Sequence, residues 1–147
     1  MRTSRSVPLL AALWLAACQP PAPAATPEPA AGAAGPLVSS LTIDAAHDSV
    51  RFSLAVTNVA AGPVTLEFPT AQRYDFAVRD GARELWRWSA DRSFAQAAGS
   101  ETLAPGETRS YTEVWRPTPG SPGRGLTGIG VLTAGSRVER AAPFTVP

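Results

Sequence analysis

The chain has 147 residues, of which 44% are hydrophobic and 17% are charged, and its formal net charge is +1. Thirteen basic residues, all arginine, balance twelve acidic ones, so the chain has no basic field for binding nucleic acid. One cysteine, Cys18, excludes a disulfide framework, and together with a single histidine it offers too few ligands for a zinc site.

Residues 1–17 have the composition of an export signal. Arg2 and Arg5 give a positively charged start, and an apolar stretch of signal-core length follows that is too short to span a bilayer. The stretch ends in Leu-Ala-Ala-Cys at 15–18, which resembles the bacterial lipoprotein box, where the cysteine is lipidated and begins the mature chain. We therefore expect Cys18 to be lipidated and the protein to be exported and anchored to the cell membrane or outer membrane.

Residues 18–36 are dominated by proline and alanine and carry almost nothing that a core could bury. This composition favours an extended, semi-stiff tether, which at polyproline rise would reach on the order of 50 Å. The remaining residues, 37–147, are enough for a single domain.

Alternation of apolar and polar residues predicts strands throughout this domain. Residues 50–57 place an apolar side chain at every second position, as a half-buried strand requires. Similar patterns predict strands at 37–46, 64–68, 74–78, 85–88, 107–115, 124–133 and 137–146, with a short extended piece at 92–96. Asp80-Gly81 and Pro105-Gly106 are the clearest turn signals between them.

Eight or nine short strands separated by frequent turns are typical of an all-β, immunoglobulin-like antiparallel β-sandwich. Packing must hold the two sheets together, and the aromatic residues expected to do so are Phe52, Phe68, Phe76, Trp86, Trp115 and Phe144. Trp86 and Trp88 are predicted to pack against the sheet in preference to forming a platform for a carbohydrate or a cation. Asp75 is predicted to cap a turn or pair with an arginine, and Asn58 to bond its own backbone.

The sequence offers few candidate residues for catalysis. His47 lies in the polar segment Asp44-Ala45-Ala46-His47-Asp48, which reads as an exposed turn, and no Gly-x-Ser-x-Gly elbow is present to supply a nucleophile. No glycine-rich phosphate loop follows a strand. We therefore assign no catalytic, metal or cofactor-binding residue, expect no cofactor, and predict that the protein is not an enzyme.

The segment from Asn58 to Trp115 carries a distinctive series of short motifs. In order they are Phe68-Pro69-Thr70, Tyr74-Asp75-Phe76, Leu85-Trp86-Arg87-Trp88-Ser89, Phe94-Ala95-Gln96 and Pro105-Gly106-Glu107-Thr108. This series resembles the BsuPI domain, a family named for an intracellular proteinase inhibitor. The resemblance implies an immunoglobulin-like sandwich and a non-enzymatic protein that acts by binding another protein, nominally as a proteinase inhibitor. A serine protease is the candidate partner.

An inhibitor of this kind needs a stiff, exposed loop that a protease binds like a substrate. The loop 116–124 contains three prolines, and Arg116 would suit a trypsin-like specificity pocket, with Pro117 hindering cleavage. Arg116 and Pro117 are therefore the candidate reactive residues. The loop 89–93 carries Arg92 but lacks stiffening residues.

The alternative function is a non-inhibitory envelope binding or scaffold module with the same fold. An exposed arginine in the loop would favour inhibition. A long uncovered edge strand would favour partner binding by strand addition.

Overall fold

The computed structural model describes residues 30–118 and 123–147, which form ten strands and no helix. In chain order these are β1 (Ala30–Ala34), β2 (Leu37–Ala45), β3 (Val50–Asn58), β4 (Val64–Phe68), β5 (Tyr74–Asp80), β6 (Arg83–Arg87), β7 (Gly99–Leu103), β8 (Thr108–Trp115), β9 (Gly125–Leu132) and β10 (Val138–Thr145). Since the described residues hold no helix, they hold none that could cross a membrane. The predicted all-β fold is confirmed.

The strands form two four-stranded antiparallel sheets and a two-stranded ribbon. One sheet has the order β1-β2-β3-β8, the other has the order β10-β9-β5-β6, and β4 pairs with β7 in the ribbon. The ribbon contributes buried side chains to the common core, namely Leu66, Phe68 and Leu103. The domain is therefore a sandwich of two sheets, with the ribbon packed against it.

The aromatic core is largely as predicted. Phe52, Phe68 and Phe76 are at most 1% exposed and Trp115 is 8% exposed, whereas Trp86 and Phe144 are half-buried and pack against this cluster. The Phe52 ring lies 5.9 Å from that of Trp86 and 5.8 Å from that of Phe144. Burial of each large side chain contributes about 1.5–3 kcal/mol to the stability of the sandwich.

Two glycines of β9 allow the sheets to approach closely. A Cβ at Gly128 would lie 2.7 Å from Cε1 of Phe52 and 2.5 Å from Cδ1 of Ile43. A Cβ at Gly130 would lie 3.2 Å from Cε1 of Phe76. The phenylalanine rings therefore occupy the space that side chains on β9 would otherwise need.

Two turns predicted from glycine are confirmed. Gly81 has φ +58° and, with Ala82, joins β5 to β6 in a two-residue hairpin, where the first central position favours glycine. Gly106 has φ +77° and follows Pro105, and the N–H of Glu107 donates to the carbonyl of Ala104 at 3.0 Å. This is the turn that a Pro-Gly pair favours.

Three segments differ from the prediction. β1 lies within the segment 18–36 predicted as a tether, and its backbone pairs with β2 from Ala30↔Leu41 to Ala34↔Leu37. β7 has no counterpart among the predicted strands, because only Leu103 of its five residues is both apolar and buried. The extended piece at 92–96 belongs to no strand, although the carbonyl of Ala95 accepts a hydrogen bond from the N–H of Ala71 at 2.9 Å.

The two long sides of the sandwich differ. On one side β10 lies against β1 and β2, and Nε of Arg140 donates to the carbonyl of Ser39 at 3.4 Å. On the other side the sheets end in β8 and β6, and we call this the β6–β8 side. The chain that follows β6 lies along it.

Candidate functional site

The predicted reactive loop leaves the sandwich from a buried anchor. Trp115, the last residue of β8, packs with ring-centroid distances of 6.5 Å to Trp86 and 6.4 Å to Phe144. Arg116 follows directly and is exposed, and Pro117 is half-buried. The point at which the loop begins is therefore fixed by the core.

The other end of the loop is fixed by hydrogen bonds to the end of the chain. The N–H of Gly123 donates to the carbonyl of Val146 at 2.8 Å, and the N–H of Val146 donates to the carbonyl of Arg124 at 3.2 Å. The Arg124 guanidinium also forms an ion pair with Asp80, at the β5–β6 turn. Residues 119–122 lie outside the described residues.

The two candidate arginines have different surroundings. Nε of Arg92 donates to the carbonyl of Trp88 at 3.1 Å, and its guanidinium lies 4.3 Å from the centroid of the Trp88 ring. Within the described ranges, Arg116 makes no ion pair or hydrogen bond. Arg116 is thus the arginine that remains available to a partner.

A buried carboxylate holds the turn after β6. Asp75 is 6% exposed and accepts hydrogen bonds from Nη1 of Arg87 at 2.7 Å and from the hydroxyl of Ser89 at 2.7 Å. It also accepts from the backbone N–H groups of Phe76 and Ser89, at 2.9 and 3.1 Å. The predicted pairing of Asp75 with an arginine is confirmed. Because the carboxylate binds both Arg87 and Ser89, it also holds Trp88, which lies between them directly after β6.

Arg87 joins this buried carboxylate to a second one at the surface. Its Nε donates to Oε1 of Glu84 at 3.0 Å, and Nη2 donates to Oε2 at 2.5 Å. These hydrogen bonds lower the pKa of Glu84, and those to Glu84 and Asp75 raise the pKa of Arg87. Three N–H groups of this guanidinium are therefore bonded to carboxylates of the domain.

The tryptophans of the Trp86-Arg87-Trp88 motif pack as predicted. The Trp86 ring stacks on Phe52 with an interplanar angle of 22°, and the Trp88 ring lies 4.5 Å from that of Tyr74. Tyr74 also lies 4.8 Å from Tyr111 of β8. One face of each indole is therefore covered by the protein.

Both tyrosines of the chain belong to this aromatic cluster. Burial, and next the hydrogen bond that the hydroxyl donates to Glu113 at 2.7 Å, raise the pKa of Tyr74 from 10.0 to about 12. Burial, and next the charge of Glu101, raise the pKa of Tyr111. The folded state therefore favours the protonated form of both phenols.

This preference predicts a stability change in alkali. Because the folded pKa of Tyr74 exceeds the unfolded one, its contribution to stability is complete below pH 10 and is lost as the pH rises towards about 12. A spectrophotometric titration should show little phenolate in the native protein at a pH where the chain in denaturant is largely ionised. Titration of both phenols near pH 10, identical with and without denaturant, would contradict the burial of the cluster.

Other candidate residues carry no site. His47 is exposed in the turn between β2 and β3, as predicted. Nowhere in 30–118 or 123–147 do three histidine, cysteine, aspartate or glutamate residues cluster as metal ligands would. The Asn58 side chain accepts from the N–H of Ala60 at 2.9 Å as predicted, and Nδ2 also donates to the carbonyl of Leu103 at 2.9 Å, which links β3 to the ribbon. Cys18 lies outside the described residues.

The fold and the site together define an antiparallel β-sandwich that holds both ends of the segment 116–124. Residues 37–125 match the family model BsuPI, described as intracellular proteinase inhibitor. The chain belongs to this family. The match covers β2 to β8 and the loop and ends at the first residue of β9, although β9 and β10 complete the second sheet.

Two solved structures are similar to this chain at low sequence identity. Spo0M, a sporulation control protein from Bacillus subtilis, is 14% identical with a TM-score of 0.42, over 77% of this chain and 49% of that one. The GAE domain of GGA2p from Saccharomyces cerevisiae is 15% identical with a TM-score of 0.28, over 82% of this chain and 98% of that one. The chain thus spans about half the length of Spo0M, and no curated protein matches it.

Proposed function

We propose that this protein inhibits a serine protease by binding it through the loop 116–124. The observation that carries the proposal is the exposed, unpaired Arg116 set between buried Trp115 and half-buried Pro117. The family description, which names a proteinase inhibitor, agrees with this role. The protein then acts by occupying a protease and performs no chemistry of its own.

The fixed ends of the loop supply the physical reason for affinity. A loop whose two ends are already held loses less conformational entropy on binding than a free segment, so more of the contact energy appears as affinity. Trp115 holds one end, and the hydrogen bonds between Gly123, Arg124 and Val146 hold the other. Arg116 would enter a trypsin-like pocket, and Pro117 would disfavour cleavage of the bond after it.

Replacing Arg116 by alanine should weaken inhibition of a trypsin-like protease by about tenfold or more, equivalent to at least ~1.4 kcal/mol. The assay titrates the purified chain against one trypsin-like and one subtilisin-like protease, with the variant alongside. Arg83→Ala is the matched control, because Arg83 is an exposed arginine at the same end of the sandwich, beside the β5–β6 turn. It should leave the inhibition constant unchanged.

The outcomes distinguish two questions, whether the protein inhibits a protease and whether the loop 116–124 is the site of inhibition. No inhibition of either protease at high micromolar protein would contradict the inhibitor function and favour a binding or scaffold module. Equal inhibition by wild type and Arg116→Ala would retain the function and remove this loop from it. Equal losses in Arg116→Ala and Arg83→Ala would indicate general electrostatic attraction in place of a specific anchor.

We also propose that the protein is exported and held at a membrane through lipid on Cys18. The support is the sequence alone, a charged start and an apolar core followed by Leu-Ala-Ala-Cys at 15–18. Because β1 begins at Ala30, an extended tether would consist of residues 19–29 and reach about 30 Å. The proteases it meets would then be those outside the cytoplasm.

Cys18→Ser should abolish incorporation of labelled fatty acid and release the protein from the membrane fraction or block its processing. Fatty-acid labelling followed by fractionation measures both effects. Unchanged labelling and retention in the variant would exclude this anchor. Ser40→Ala, a small change within the domain, is the control and should retain the label.

A further inference from the structure

The β6–β8 side of the sandwich ends in a long, unpaired strand edge. β8 has eight residues and, in the part of the chain that the structure describes, pairs only with β3. β6 on the opposite sheet has five residues, and its pairing with β5 contains a register shift at Val78/Arg79. β8 is therefore the longer and more regular edge on this side.

The pairing register shows which backbone groups of β8 face away from β3. The N–H of Asn58 donates to the carbonyl of Glu107 at 3.0 Å, and the carbonyl of Asn58 accepts from the N–H of Gly106 at 2.8 Å, so the carbonyl of Glu107 faces β3 as it would in a hydrogen-bonded pair. Because such pairs alternate along an antiparallel ladder, the next pair, Thr57↔Thr108, is not hydrogen-bonded. The N–H and C=O groups that point outward then belong to Thr108, Ser110, Thr112 and Val114.

Side-chain contacts agree with this assignment. The hydroxyls of Thr57 and Thr108 lie 2.8 Å apart, and those of Ser53 and Thr112 lie 3.2 Å apart. Opposing side chains approach most closely in the pairs that are not hydrogen-bonded. The outward edge of β8 thus offers a row of donors and acceptors to an added strand.

A groove runs beside this edge, between β8 and the chain that follows β6. Trp86 and Trp88 line one wall, and Glu113 and Val114 of β8 line the other. Val114 is 38% exposed, one of two large hydrophobic residues so exposed among those described. An added strand would direct every second side chain towards this groove.

The free charge of the groove is negative. Asp91 lines it, is exposed, and forms no ion pair or hydrogen bond within the described ranges, and Glu113 accepts only from the hydroxyl of Tyr74 at 2.7 Å. Of the two arginines of the groove, Arg87 pairs with two carboxylates, whereas Arg92 pairs with none among the described residues and keeps its positive charge, so Asp91, Glu113 and Arg92 together carry a charge of −1. Arg87 binds Asp75 and Glu84, and Arg92 binds the carbonyl and ring of Trp88.

From this arrangement we propose that the edge of β8 binds an extended peptide segment of a partner protein by strand addition, with an arginine or lysine of that peptide lying in the groove. Backbone hydrogen bonds to β8 supply affinity, and the carboxylates of Asp91 and Glu113 select the basic side chain. The proposal does not depend on inhibition through the loop 116–124.

Binding of fluorescent peptides to the full chain, followed by anisotropy, tests the proposal. The probe is an eight-residue peptide, matched to the length of β8, of alternating threonine and valine with one central arginine. Its controls carry a central glutamate, or N-methyl groups on alternate amides. We expect saturable binding of the arginine peptide, binding weaker by at least about tenfold for the glutamate peptide, and none for the N-methylated one.

Variants of β8 and of the groove test the same surface from the protein side. Thr112→Pro removes one outward N–H at an edge position where proline is tolerated, and should abolish binding, whereas Thr112→Ala should not. Asp91→Asn should weaken the binding of the arginine peptide by about threefold, as expected for the loss of an exposed ion pair. Asp44→Asn, at an exposed position on β2, is its matched control and should have no effect.

Three results would overturn the proposal. These are the absence of saturable binding, equal binding of the arginine and glutamate peptides, and binding that survives N-methylation of the peptide. The peptide controls keep the test decisive even if Thr112→Pro fails to fold. A dimer in sedimentation experiments that Thr112→Pro converts to monomer would identify a second copy as the occupant instead.

Discussion

Replacing Asp75 by alanine is expected to destabilise the domain by about 3 kcal/mol, at the lower end of the range for breaking a buried ion pair. The carboxylate is 6% exposed and accepts four hydrogen bonds, from Arg87, from Phe76 and twice from Ser89. Its removal leaves these donors without a partner in a place that water reaches poorly. The expected loss of stability lies at the lower end of this range because the Arg87 side chain is 30% exposed and keeps its ion pair with Glu84.

Denaturant unfolding of the purified chain, followed by tryptophan fluorescence, measures this change. Asp48→Ala is the matched control, because Asp48 is exposed and accepts only from the neighbouring Ser49 at 3.1 Å. It should leave the free energy of unfolding nearly unchanged. A loss below about 1 kcal/mol for Asp75→Ala would mean that water replaces the carboxylate and that the network is not a structural requirement.

Phe52→Ala should cost about 3–5 kcal/mol, the usual cost of removing a buried aromatic ring. The ring is 0% exposed and lies within 6 Å of the rings of Phe76, Trp86 and Phe144, at 5.9, 5.9 and 5.8 Å. It joins residues of both sheets, so its loss weakens the contact between them. The same unfolding experiment measures it, and a cost below about 1.5 kcal/mol would contradict a central role for the ring.

A double-mutant cycle with Gly128 tests the packing around Phe52 more directly. Gly128→Ala places a Cβ 2.7 Å from Cε1 of Phe52, so it should destabilise the wild type by about 1–3 kcal/mol. The same change should cost less in Phe52→Ala, because one of the two side chains that it meets is absent and the other, Ile43 at 2.5 Å, can move into the space. Gly62→Ala is the control, since no atom lies within 4 Å of its added Cβ. Additive costs at 52 and 128 would mean that the two positions do not share this space.

The parts of the fold that could be predicted are those whose signal is local. β3 alternates along 50–57 because it has one face in the core, and its burial follows that alternation. The turns at Gly81 and Gly106 depend on a positive φ that glycine adopts without strain. Each of these features is decided within a few residues of the chain.

The parts that were missed depend on partners distant in sequence or on backbone alone. β1 consists of alanine and glycine, so no pattern of side chains marks it as a strand. In β5, residues 75–78 are all buried, because its second face is covered as well: Ala77 packs with Ile129 and Val131 of β9, and Arg87 and Ser89 bind Asp75. Alternation therefore does not reveal that Asp75 is covered.

The features of the candidate site also divide into those that the local sequence marks and those that depend on distant parts of the fold. The loop 116–124 could be chosen from its prolines and its arginine, because stiffness and charge are properties of the residues themselves. The engagement of Arg92 by Trp88, which leaves Arg116 as the available arginine, depends on a turn after β6 that the sequence does not mark. That β8 is an edge strand is a property of the topology and not of its eight residues.

The position of β1 has a mechanical consequence. β1 is an edge strand, and its first pair, Ala30↔Leu41, lies at the end of the β1–β2 hairpin away from the Gly35-Pro36 turn. Tension applied to the chain ahead of Ala30 would load this pair first and separate the strands one pair at a time, a geometry that resists force weakly. Release of the five residues of β1 would lengthen the leading segment by about 17 Å. Among the side chains that the structure describes, Leu37 at the start of β2 is the first that belongs to the buried core.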